Sequence, residues 1–254
     1  MVELSGLVAS RSQDVLYGHN DSGDAARFFA LSVRDGRLLQ EFVLEGATNR
    51  DWEDVALAPC GSGVCLFLGD IGDNRLKRTE YVIYRVPEPT VTEGAPKMAV
   101  PYDRIPFQYP EGARHNAEAL MADPKSGQLY VLTKEPLGKP SLVFRFPLQL
   151  VANSTVTLEA LGNLSVPTPS DPQLTAADVS PCGDAVLVRL YNRLLLFRSP
   201  QGTLEDALKA TPEQVPAAQE AQGESVAFSS SGASYFTASE TLTTPPFLYQ
   251  SVCE

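Results

Sequence analysis

Short apolar runs bounded by turn residues recur along the whole chain, and the sharpest example lies at residues 51–74, DWEDVALAPCGSGVCLFLGDIGDN. The pattern predicts two strands, 55–58 and 65–68, joined by a glycine-containing hairpin loop at 59–64. A hairpin brings the chain back to where it began. Asp51, Glu53 and Asp54 at one end therefore meet Asp70, Asp73 and Asn74 at the other, along one edge of a sheet. Carboxylates gathered in ordered loops repel one another unless a positive charge sits among them.

The same pattern repeats. Glu53-Asp54-Val55-Ala56 has counterparts in Glu118-Ala119-Leu120-Met121, Thr175-Ala176-Ala177-Asp178, Glu224-Ser225-Val226-Ala227 and Ser5-Gly6-Leu7-Val8, each followed by a turn. A second apolar strand follows every turn: residues 15–21, 65–70, 129–135, 185–191 and 234–240. A third follows at 27–33, 81–87, 142–148, 194–200 and 247–253, and a fourth is readable at 38–46, 102–110 and 156–164. In the fourth unit the matching stretch, LEDALKATPEQV, reads as partly helical or looped. The last unit stops after its third strand, which predicts that residues upstream of Met1 complete the ring in the parent protein. The expected fold is an all-β, single-domain β-propeller of five blades with up to four antiparallel strands each, a six-bladed ring being the alternative count. Approximate blades fall at 1–48, 49–112, 113–168, 169–220 and 221–254. A two-domain β-sandwich is the competing architecture, but it does not generate the recurring carboxylate-strand-turn-strand register.

The strings Leu4-Ser5-Gly6-Leu7, His19-Asn20-Asp21-Ser22-Gly23-Asp24, Asp51-Trp52-Glu53-Asp54-Val55-Ala56 and Gly69-Asp70-Ile71-Gly72-Asp73-Asn74 resemble a group of bacterial secreted β-propellers. That group is itself similar to phytase-like and esterase-like propellers. The resemblance runs along nearly the whole chain and is densest from residue 4 to 87. It implies the fold and an exported, lipid-anchored location, and it carries over no catalytic residue, since propellers host many functions.

Composition narrows the partners. The 254 residues carry a net charge of −11, which argues against nucleic acid or an anionic membrane surface as partner. The RLKR run at 75–78 reads as a solvated basic patch. No apolar run is long enough for a transmembrane helix. The chain begins directly in strand-like sequence, so any targeting segment is expected to precede it. Four cysteines suggest Cys60–Cys65 across the hairpin and Cys182–Cys253, although three pairings exist. Disulfides place the protein in a secreted or periplasmic setting, where it is expected to act as a monomer.

In a propeller, the loops before the first strand and after the second share one face. Both histidines and most carboxylates fall there. The candidate ligand-binding funnel comprises His19, Glu53, His115, Glu118, Lys134, Arg189, Tyr191 and Glu224, with Asn20, Asn74, Asn116, Glu135 and Glu240 on the same face. The candidate metal ligands are Asp21, Asp24, Asp51, Asp54, Asp70 and Asp73, oxygen donors suited to Ca²⁺. The competing reading makes these Asx side chains turn caps, with the glutamates paired to Arg50, Arg114, Lys134 or Arg189. Trp52 is read as packing rather than as a stacking platform. No GxSxG or HExxH motif is present. The sequence therefore favours a binding or scaffold propeller, Ca²⁺-stabilised, recognising a small molecule or partner protein. A metal-dependent phosphoesterase-like or lactonase-like hydrolase is the alternative.

Overall fold

The computed structural model describes residues 3–164, 173–199, 202–220, 222–241 and 247–252. Its strands form five sheets built on antiparallel hairpins. Blade 1 is Leu4–Ala9, Val15–Asn20, Arg27–Ser32 and Leu38–Val43. Blade 2 is Trp52–Cys60, Gly63–Asp70, Tyr81–Pro87 and Asp103–Gln108. Blade 3 is Ala117–Ala122, Leu129–Thr133, Leu142–Arg145 and Glu159–Asn163. Blade 4 is Leu174–Val179, Ala185–Leu190, Arg193–Arg198 and Glu213–Val215, and blade 5 is Gly223–Phe228, Ser234–Ser239 and Leu248–Val252. Each first strand packs against that of the next blade, and that of blade 5 against that of blade 1, closing a five-bladed propeller.

Stacking the blades face to face explains the apolar runs. A sheet covered on both faces cannot show strict alternation, so its inner strands are apolar on both sides. The five hydrophobic layers are the five blade interfaces. Phe67, Ile83 and Phe107 meet Leu120, Val131 and Phe144 between blades 2 and 3. Tyr17, Phe28 and Phe42 meet Trp52, Leu66 and Tyr84 between blades 1 and 2. The layers on either side of blade 5 are thinner. Among the described residues, Leu7, Ala9, Leu16, Phe29, Leu31, Ala227 and Phe236 make up the buried cluster at its junction with blade 1.

Two local features depart from the sequence reading. The hairpin at residue 60 is tighter than the 59–64 loop, because pairing continues to Cys60 opposite Gly63 and leaves a two-residue turn whose Gly61 has φ +59°. Two-residue strands cross between blades: Met98–Ala99 joins the edge of blade 1, and Val156–Thr157 that of blade 2. Segments so short carry no periodicity to read. In the fourth unit the stretch read as partly helical or looped holds the helix Leu204–Lys209, capped by Thr203 and Asp206 and buried through Leu204, Ala207 and Leu208, ahead of the outer strand Glu213–Val215. Cys60 and Cys65 are bridged, with Cα atoms 5.8 Å apart. Cys182 is exposed and has no disulfide partner among the described residues. The partner expected for it, Cys253, lies outside the described residues. No helix among the described residues is long and apolar enough to cross a membrane.

Candidate functional site

The pairing between first and second strands slips at the same place in all five blades. The break lies between Leu4 and Leu7, Trp52 and Asp54, Ala117 and Ala119, Leu174 and Ala176, and Gly223 and Ser225. The additional residues are Ser5 with Gly6, then Glu53, Glu118, Thr175 and Glu224. A β-bulge re-aims the side chain it carries. Here it turns Ser5, Glu53, Glu118 and Glu224 into a cavity of about 190 Å³, shared with Asp21, Asn74, Lys134, Tyr191, Gln222 and Glu240. Thr175 instead donates to the Gly223 carbonyl at 2.8 Å. The recurring glutamate of the sequence is thus the bulge residue of the inner strand.

Among the described residues, Lys134 is the only cation lining this cavity. Its Nζ lies 3.2 Å from Glu118 Oε2 and 4.8 Å from the centre of the Tyr191 ring. Burial disfavours the ammonium, but Glu118, Tyr191 and Glu224 outweigh it and raise its pKa above that of an ordinary lysine. One cation does not balance the acids. Burial, reinforced by Glu118 and Asp21, pushes the Glu53 carboxyl well up. Burial likewise lifts Glu118, carries Glu224 up to about 8, and moves Asp51 up to about 6 with help from Asp21.

Asp21, Asp51 and Glu53 each present a carboxylate oxygen within 4.8 Å of the other two. Glu53 is only 4% exposed. Gly72 lies directly against this group, since a Cβ there would overlap the carboxylates of Glu53 and Asp51. Gly72→Ala is expected to displace those side chains and cost about 1–3 kcal/mol. It should also abolish any effect of added Ca²⁺ on the melting temperature, measured by differential scanning fluorimetry.

The other expected metal ligands are engaged elsewhere. Asp24 pairs with Arg27 at 2.8 Å and accepts from Asn20. Asp54 is fully buried and accepts the backbone N–H groups of Val55, Leu120 and Ala177. Asp70 pairs with buried Arg78 at 2.7 Å. Asp73 accepts the N–H groups of Lys77 and Arg78 and the Tyr81 hydroxyl. Arg78 is therefore the positive charge among the hairpin-end carboxylates, and the RLKR run is no uniform solvated patch.

Of the eight expected funnel residues, Glu53, Glu118, Lys134, Tyr191 and Glu224 line the cavity. Two lie behind it. His19 is wholly buried, its ring edge-on to Trp52 at 5.5 Å and its Nε2 pressed toward Gly6; burial drives its pKa down to about 4. Arg189 is wholly buried over Gly223, 2.7 Å from Glu220. Trp52 is packing, with Nε1 donating to the Thr48 carbonyl. His115 lines an adjoining pocket of about 290 Å³ that shares Asn74, Lys134 and Tyr191 with the first.

Ser5, Gln222 and Gln173 line these cavities without having been singled out as ligands. The aligned repeat holds the signal. Ser5 occupies the Glu53 position, and Gln222 and Gln173 precede the bulge residue by two, as Asp51 and Asn116 do.

No protein-family model and no curated protein sequence matches the chain. Solved structures match in fold. A PQQ-bound aldose sugar dehydrogenase from Streptomyces coelicolor aligns at 11% identity with a TM-score of 0.55, covering 98% of this chain and 94% of its own. A gluconolactonase from Xanthomonas campestris aligns at 14% identity and TM-score 0.54, covering 98% and 86%. A luciferin-regenerating enzyme aligns at 10% and 0.51, covering 98% and 91%. At these identities the likeness is one of fold, and the β-propeller is the conclusion it supports.

Proposed function

We propose that this propeller is a divalent-cation-dependent hydrolase acting on a small ester or lactone in its funnel. The observation that carries the reading is the convergence of half-buried Asp21 and Asp51 with buried Glu53 on one point. Three hard oxygen donors, two of them close against a glycine, fit Ca²⁺ or a similar ion. When bound, such an ion supplies Lewis-acid polarisation of a carbonyl and lowers the pKa of water. Around it, Lys134 offers a fixed positive charge, while Asn74, Gln222 and Tyr191 offer hydrogen bonds that orient an oxygen-rich substrate. Five acidic side chains against one ammonium leave the lining with no surplus of positive charge, which favours an uncharged substrate over a phosphate ester. The sugar-lactone chemistry named for the gluconolactonase neighbour supports this choice over the binding-module reading that the sequence alone favours.

The binding-module reading has its own support in the apolar groove between Phe29, Leu38 and the 77%-exposed Phe247. The disulfide accords with a secreted or periplasmic protein.

The test is thermal unfolding with EDTA and then with Ca²⁺ restored, beside metal analysis of untreated protein and turnover of aldonolactones and p-nitrophenyl esters. The melting temperature is expected to fall by several degrees with EDTA and to return with Ca²⁺, as binding to the folded state requires. Turnover should follow the same course. An untreated protein free of metal, with no shift on Ca²⁺ addition, would sink the reading.

A further inference from the structure

We infer that His115, held by Glu135, is the proton-transfer group of the funnel; this rests on the hydrolase reading and names a catalytic residue for it. His115 Nδ1 lies 3.3 Å from Glu135 Oε1. A carboxylate accepts and cannot donate, so the bond assigns the Nδ1 proton to histidine and leaves Nε2 bare to take a proton. The ring is gripped by Tyr109 and Phe144, with centroids at 4.8 and 5.2 Å. Glu135 is steadied in turn, because Gln173 Nε2 donates to its backbone carbonyl at 2.9 Å. Both side chains of the pair are 19% exposed, and both line the pocket that shares Asn74, Lys134 and Tyr191 with the carboxylate cavity.

The placement suits the chemistry. Asn74, Lys134 and Tyr191 wall both pockets, so a substrate spanning them sets its scissile bond at their junction. Leu76, exposed and held at φ +50°, forms another wall, and its carbonyl accepts from Arg114. The backbone there adopts a conformation that leucine rarely takes, as at many ligand-facing loops. In the inferred step, water oxygen bonds to the acyl carbon while its proton passes to His115 Nε2. The acyl carbon–oxygen bond then breaks, and the same proton goes to the departing alkoxide. One water is consumed, one acid and one alcohol form, and His115 returns to its starting state.

His115 faces Glu135, Arg114, Lys134, Tyr109 and Tyr191, with the Tyr81 hydroxyl and Asp73 behind it. A pH profile alone would mix these groups, so the test pairs kinetics with spectroscopy. The chain has two histidines, which makes ¹⁵N NMR assignment direct. His115→Asn and Glu135→Gln would be compared with the parent protein in Ca²⁺, using the ester and lactone panel. His115→Asn is expected to lower kcat by about 10²-fold or more and to leave the Ca²⁺-dependent melting shift intact. Glu135→Gln should lower kcat about tenfold at unchanged KM, with neutral His115 losing its Nδ1–H preference. Retention of kcat within about threefold in His115→Asn would overturn the assignment while leaving the hydrolase reading in place. A neutral His115 protonated on Nε2 in the parent protein would overturn it as well. A parent protein that binds Ca²⁺ and hydrolyses nothing in the panel would overturn the hydrolase reading and this role with it.

Discussion

Replacing Asp54 with alanine is expected to destabilise the fold by about 3–5 kcal/mol, the largest single-residue effect outside the apolar layers. Its Oδ1 accepts from Val55 N at 2.8 Å, and its Oδ2 from Leu120 N at 3.0 Å and Ala177 N at 3.4 Å. Those donors belong to the inner strands of blades 2, 3 and 4, so one carboxyl ties three blades at the axis of the ring. Alanine leaves all three N–H groups without this acceptor in the interior, at about 1–3 kcal/mol each. Part of that is offset, because burial already disfavours the Asp54 carboxylate and pushes its pKa well up. Asp54→Asn keeps an acceptor and should lose about half as much. Urea unfolding at constant slope measures both; a loss below about 1 kcal/mol for the alanine variant would remove Asp54 from the fold's supports.

The second large effect is a dependence on pH that runs opposite to ordinary acid denaturation. Burial raises Asp51 and Asp178 from 3.8 to about 6 and Glu224 from 4.5 to about 8. A carboxyl with a raised folded pKa holds its proton more tightly in the folded state than in the unfolded one. Its contribution is complete below the unfolded value near 4 and disappears as pH rises through the folded value. Below about pH 6.5 buried His19, whose folded pKa is about 4, works in the opposite direction, so in EDTA the melting temperature should fall most clearly between pH 6.5 and pH 8.5. Asp178 alone accounts for roughly 1 kcal/mol of the loss between pH 5 and pH 8.5, the rest of its contribution having gone below pH 5. Ca²⁺ binds the deprotonated carboxylates, so its stabilising effect should grow over the same interval and flatten the profile. A melting temperature that instead rises with pH in EDTA over this interval would show that these carboxyls ionise freely.

Much of the fold is legible in the sequence because the propeller repeats one short rule. An apolar inner strand, a turn and a second apolar strand recur often enough to reveal the ring, although no single unit is decisive. The site is legible only in part. Glu53, Glu118 and Glu224 stand out because the bulge demands a particular register, and a repeat displays register directly. Asp54 and Asp70 have the same composition and neighbourhood in sequence as Asp51. What separates them is whether the side chain meets backbone N–H groups, Arg78 or open cavity, which depends on strands up to 123 residues away. His19 and Arg189 mislead for a related reason. Both occupy second strands whose ends reach the funnel, but glycine at Gly6 and Gly223 lets their side chains turn inward beneath it. A glycine opposite a large polar residue is the sequence mark of that arrangement, and it becomes readable only once the blades are aligned.

The thin layers flanking blade 5 divide the funnel's own durability. Glu224, Glu240 and Gln222 ride on blade 5 or its approach, whereas Asp21, Asp51 and Glu53 are anchored on blades 1 and 2 across one of the deepest apolar layers. Local opening begins where the least apolar surface is buried. On the described residues the cavity thus has a loosely backed jaw and a firmly backed one, and the blade 5 wall is expected to lose amide-exchange protection before the carboxylate trio does.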